Sequence, residues 1–160
     1  MRRRSPGPRW LRRLRGRLTG VFVALVAIPA LLDGVVATLR PVADGQGSCR
    51  VVQVVDGDTV RLWCAGAAPL RARLTGFDAP ELYSPGCFSE LVAAQHAKWA
   101  LRWLLWQASD LRMARAGTDR YDRALIALFD GAAPIADKMI AGNHGRAYGG
   151  GRRDGWCRGA

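Results

Sequence analysis

"VVQVVDGDTVRL", residues 51–62, sets two aspartates on either side of one glycine in an otherwise apolar run. Valines on both sides favour extended chain, and Asp-Gly favours a tight hairpin turn. Val51–Val55 and Thr59–Cys64 are therefore expected as paired strands, with Asp56-Gly57 at the centre of the turn. "AGAAP", residues 65–69, is the next turn, and "LRARLTGF", residues 70–77, alternates as a third strand. "DAPELYSPG", residues 78–86, holds two prolines that exclude any regular element.

Ser89 to Gln107 is expected as a long helix. Trp99, Trp103 and Trp106 fall on one face, and Leu101, Leu104 and Leu105 widen it, so the tryptophans are expected in the core. "DLRMARAG" (110–117) and "RALIALFD" (123–130) are expected as a second strand pair joined by "GTDRYD" (117–122). A short helix over 133–141 ends at Gly142. The order predicts a mainly β protein with helices (α+β). The expected form is a five-stranded OB-type barrel with a long helix between strands three and four and a short C-terminal helix.

The 160 residues carry 24 basic and 13 acidic groups, a net of +11. Nine of the basic groups but only Asp33 among the acids lie in residues 1–43, which leaves a net of +3 for the remainder. The whole-chain charge thus describes the N-terminal segment, and +3 is compatible with a phosphate-rich partner without requiring one. An arginine-rich stretch, residues 2–17, precedes the apolar residues 18–39, the order of an export or anchoring segment. A signal peptide cleaved after Ala37 or Ala43 and a retained membrane span both fit. Both place the N-terminus in the cytoplasm and the body in the periplasm or outside the cell. Residues 1–43 are expected as leader and linker, and residues 44–160 as the functional domain.

Cys49, Cys64, Cys87 and Cys157 form no CxxC pair, which argues against a zinc knuckle. With Asp56-Gly57 at the centre of the hairpin, residues whose numbers sum to 113 face each other, and Cys49 and Cys64 do. Cys87 then remains for Cys157. A bulge would spoil this register. Paired cysteines agree with export.

Asp56, Asp58 and Asp78 end neighbouring strands, where their charges repel unless a cation lies between them. Oxygen donors without a nearby histidine or cysteine point to a hard cation. Glu81 follows Asp78 by three residues and is within reach as a general base. Arg73 and Arg123 offer the forked donors that phosphate oxygens accept. Taken singly, each is an ordinary turn or surface residue.

As a set, these residues resemble the staphylococcal nuclease family, an OB-type fold. "VVDGDTVRL" (54–62), "RLTGFDAPE" (73–81) and "TDRYDRAL" (118–125) match its three motifs in order, and the likeness covers about residues 49–148. The resemblance implies a Ca2+ site formed by Asp58, Asp78 and the Ala79 carbonyl, with Asp56 just behind it. It implies Glu81 as the base toward water and Arg73 and Arg123 as the phosphate-binding pair. Arg120, Tyr121 and Tyr148 would lie beside the nucleotide. The implied reaction is hydrolysis of DNA and RNA to 3′-phosphate ends by a monomer with no protein partner. Asp122 departs from the family's usual glycine there and puts a negative charge beside Arg123. "GGGRRDGWC" (149–157) resembles the end of secreted bacterial relatives. Two other readings are a non-catalytic nucleic-acid-binding barrel and an interaction domain tethered to the envelope through residues 18–39.

Overall fold

A computed structural model of the protein describes residues 9–43, 45 and 48–157. In chain order the elements are α1 (Arg9–Leu39), β1 (Pro41–Ala43), β2 (Ser48–Asp56), β3 (Thr59–Cys64), β4 (Leu70–Leu74) and β5 (Gly76–Asp78). Then come α2 (Phe88–Gln107), β6 (Leu111–Thr118), β7 (Ala124–Asp130), β8 (Ala133–Pro134), α3 (Ile135–Ala141) and β9 (Arg146–Tyr148). The chain divides into two compact units, Met1–Leu31 and Leu32–Ala160.

The first unit holds most of α1. Val21, Phe22, Val23, Ile28 and Leu31 are each half exposed or more. By length and composition Thr19–Ala37 is apolar enough to cross a bilayer.

The second unit is a barrel. Its strands run β4-β3-β2-β1-β6-β7, and the ring closes through the parallel pair β4–β7, where Arg73 faces Leu125. This closed, mixed α+β architecture is consistent with an OB-type barrel. Five of the six ring strands are those expected from the sequence. The sixth, β1, lies in the stretch read as linker. Its three residues are too few to display a period, yet Val42 is fully buried and β1 bridges β2 and β6.

The β2–β3 hairpin differs from expectation in one instructive way. Asp56 pairs with Thr59, so Gly57 and Asp58 are the turn residues, one position later than expected. Two single-residue register shifts in β2, between Asp56 and Val54 and between Gln53 and Val51, then restore the pairing of Cys49 with Cys64. Both expected disulfides, Cys49–Cys64 and Cys87–Cys157, are formed. The tip of the hairpin is sterically tight. A Cβ on Gly57 would lie 2.8 Å from the Ala97 Cβ and 2.9 Å from the Ala79 Cβ. Only glycine lets the tip of the hairpin seat against α2 and the loop after β5.

Helix α2 corrects the expectation about its tryptophans. The buried face is Ala94, Ala97, Leu101 and Leu105, while Trp103 is 59% exposed and Trp106 37%. The hairpin tip comes so close at Ala97 that only a small side chain fits there, and Leu101 and Leu105 fill the rest of this face. The indoles of Trp103 and Trp106 lie on the neighbouring face, 6.3 Å apart.

Arg102 on the same helix is buried and bonds Asp33 through Nε (2.9 Å) and Nη2 (3.0 Å). Asp33 also accepts from the Val54 N–H at 3.4 Å, beside the register shift between Val54 and Asp56. A buried charge deprived of its partner costs roughly 3–5 kcal/mol, whereas replacing both partners by apolar groups costs far less. Arg102→Ala in the full chain is therefore expected to lose about that much stability, and Asp33→Leu/Arg102→Met to recover most of it. Denaturant midpoints check this, and equal losses in the two variants would contradict it.

Candidate active site

Pairing of β3 with β4 sets Thr59 opposite Arg73, and the Leu74 N–H donates to the Asp58 carbonyl at 2.8 Å. The chain then passes through β5 to Asp78. Strand pairing thus brings Asp58, Arg73 and Asp78 to one place, and all three are buried. A single guanidinium nitrogen, Nη2 of Arg73, lies 2.6 Å from Asp58 Oδ2 and 3.2 Å from Asp78 Oδ1. The Thr59 hydroxyl donates to the other Asp58 oxygen at 2.9 Å. Ala79 follows directly and is buried against the hairpin tip.

At Asp58, Arg73 does not offset the cost of burial. Burial raises the Asp58 carboxyl above its usual range even with Arg73 beside it, and the charge of Asp78 adds to the rise. Burial pushes Asp56 up to about 6, with Asp58 and Glu81 contributing like charge. Glu81 is thus close enough to be felt by Asp56. Its own carboxylate accepts from the Tyr83 N–H at 3.2 Å, folded onto its loop. Buried carboxylate oxygens brought this close together are a donor set that fits a hard cation.

Three further residues reach Asp78 that the three motifs do not include. Arg146, paired with Asp78 across β5–β9, lies 3.4 Å from Oδ2, and Arg153 Nε lies 3.2 Å from Oδ1. The Trp156 indole N–H donates to Oδ2 at 3.1 Å, and the Arg146 guanidinium stacks 4.3 Å over that indole. Cys157, bonded to Cys87, fastens this tail to the start of α2. Arg153 and Trp156 belong to the "GGGRRDGWC" stretch, which was the available signal. Glu90 had none beyond an acid in the first turn of a helix. Buried, it accepts from the Gly86 N–H at 2.7 Å and the Glu81 N–H at 3.2 Å, and so sets the loop that carries Glu81.

The expected nucleotide-side residues fall in two other places. In the β6–β7 turn, Asp119 accepts from the Tyr121 N–H (2.9 Å), the Arg123 N–H (3.0 Å) and the Arg123 Nε (2.8 Å). Tyr121 is 64% exposed, with the guanidiniums of Arg120 and Arg123 stacked 4.8 and 5.5 Å from its ring centre. Asp122 has φ 59°, the left-handed conformation that explains a glycine preference there. Tyr148 lies opposite Gly76 in β9, donates to the Gly151 carbonyl at 2.7 Å and carries Arg153 5.6 Å over its ring.

No family model matches the chain. A Haemophilus influenzae protein named "Uncharacterized endonuclease" is 32% identical over 103 residues, 64% of this chain and 53% of that protein. The chain therefore spans about half the length of this curated relative.

The raised carboxyl of Asp56 has a measurable consequence. Its protonated form is favoured in the folded state, so its contribution is fully present below its ordinary value of 3.8 and lost as pH rises through about 6. Above that, ionised Asp56 penalises folding by up to about 3 kcal/mol. Asp56→Asn keeps an acceptor for the Gly57 N–H and removes the charge. With calcium chelated, it is expected to stabilise the protein by about 1–3 kcal/mol at pH 8 and not at pH 4. Denaturation curves at the two pH values check this, and an equal gain at both would contradict it.

Proposed function

We propose that the chain is a nuclease that hydrolyses phosphodiester bonds of DNA and RNA with the help of Ca2+. The observation that carries this reading is Arg73, buried with its guanidinium between Asp58 and Asp78. A merely structural surface has no need to bury two acids and an arginine beside a third acid that titrates near 6. The name of the Haemophilus influenzae relative, an endonuclease, supports the same class of activity.

Asp58, Asp78 and the Ala79 carbonyl would hold the ion, which when bound would neutralise a phosphodiester oxygen. The remaining work falls to the chain's own residues. Nη2 of Arg73 makes both carboxylate contacts, so its other nitrogens are the ones to meet a phosphate oxygen. Arg123, oriented by Asp119, supplies a second guanidinium, and the two gather the negative charge that grows in the transition state. Glu81 orients a water for in-line attack and takes its proton, and Glu90 fixes the loop from which Glu81 reaches. The 5′-oxygen leaves and 3′-phosphate ends result. Tyr121 and Tyr148 offer ring faces to bases without selecting among them, which suits DNA and RNA alike. The two disulfides suit an exported barrel working as a monomer outside the cytoplasm.

The test is hydrolysis of single-stranded DNA and RNA by the full chain, with calcium or with chelator, beside Glu81→Gln. Cleavage of both is expected to need calcium and to fall about 10²–10⁴-fold in the variant. Cleavage that persists in chelator, or that Glu81→Gln leaves unchanged in a folded protein, would overturn the reading.

A further inference from the structure

We propose that the apolar N-terminal helix is retained in the mature protein rather than removed, and that the partner it fits is a lipid bilayer. This goes beyond the nuclease reading and does not depend on it. Both export routes place the barrel outside the cytoplasm, and the structure distinguishes them through what residues 33–43 do.

Cleavage after Ala37 or after Ala43 removes Asp33 in either case. Asp33 is buried and belongs to the barrel unit, where it forms a two-bond ion pair with Arg102 and accepts from the Val54 N–H. Without it, a buried guanidinium would be left with the Val54 carbonyl at 3.5 Å and the ring of Trp99 at 5.2 Å, neither of which carries a balancing charge. Val36, also lost in both cases, is 5% exposed and part of the core. Cleavage after Ala43 would in addition remove β1 with its buried Val42, opening the ring between β2 and β6.

In the folded protein neither candidate bond follows a stretch of free extended chain. A peptidase binds its substrate as extended chain, yet residues 35–37 are helical, and the Arg40 N–H still bonds the Val36 carbonyl at 3.0 Å. The carbonyl of the Ala37–Thr38 bond accepts from Arg50 at 3.0 Å. Ala43 is paired on both sides, with Ser48 and with Arg112.

What remains of the helix needs a cover. Val21, Phe22, Val23, Ile28 and Leu31 are 50–69% exposed, a density of large apolar side chains that water does not tolerate. Eight arginines precede residue 18, which complements anionic headgroups of the cytoplasmic leaflet. Residues 18–32, between Arg17 and Asp33, number fifteen and rise about 22 Å, short of a hydrocarbon core of about 30 Å. Flanking arginines that reach outward to the headgroups accommodate such a mismatch.

The experiment is to produce the full chain with a C-terminal tag in a bacterium that has intact export and signal-peptidase machinery. The membrane and soluble fractions are then separated, washed with alkaline carbonate and weighed by intact mass spectrometry. The expected result is one uncut species that stays in the carbonate-washed membrane. A soluble species short of residues 1–37 or 1–43 would overturn the proposal. So would an uncut chain released by carbonate, which would mean that a second copy or another protein, and not lipid, covers the helix.

Discussion

One guanidinium held between two buried carboxylates organises this molecule. Arg73 sits on β4, Asp58 in the β2–β3 turn and Asp78 at the end of β5, so their meeting requires that the three neighbouring strands keep one register. It requires the hairpin tip to seat against α2, which Gly57, Ala79 and Ala97 allow by having almost no side chain. It also requires the ring to close, since β4 is flanked by β3 on one side and β7 on the other. The same closure brings the strand that follows Arg123 alongside the strand that carries Arg73. Barrel geometry and candidate chemistry are therefore one problem, solved by the same small residues and the same pairings.

Electrostatics explains why such a cluster persists. Burial alone would neutralise these acids, and both Asp56 and Asp58 are displaced in that direction. Arg73 opposes the shift at Asp58, and Arg146 and Arg153 add positive charge around Asp78. The tail that brings Arg153 and Trp156 is tied down by a disulfide that spans 70 residues, a constraint that acts largely on the unfolded chain. Buried carboxylates brought this close together are oxygen donors of the kind a hard cation takes.

Much of this was legible in the sequence, for reasons that residues make plain. Alternation in Leu70–Leu74, valines about Asp-Gly and the "GTDRYD" turn declare their strands locally. The Cys49–Cys64 pairing was reached from a turn placed one residue early, and it holds because two register shifts cancel the error. Features that depend on distant partners were not legible. Asp33 is a lone acid within an apolar run, and only the fold reveals Arg102 beside it. The tryptophan stripe reads as core in the sequence, but the buried face of α2 is Ala94, Ala97, Leu101 and Leu105, with the hairpin tip pressed against Ala97. Glu90 and Arg146 act through backbone N–H groups and a strand pairing that no spacing announces.

Asp58 and Asp78, with Arg73 between them, are the residues proposed to hold calcium. Calorimetric titration of the full chain with calcium, wild type beside Asp58→Asn, tests this most directly. The account predicts saturable uptake of one ion per wild-type chain and loss of that uptake in a folded variant. No uptake by the wild type, or equal uptake by both, would contradict it.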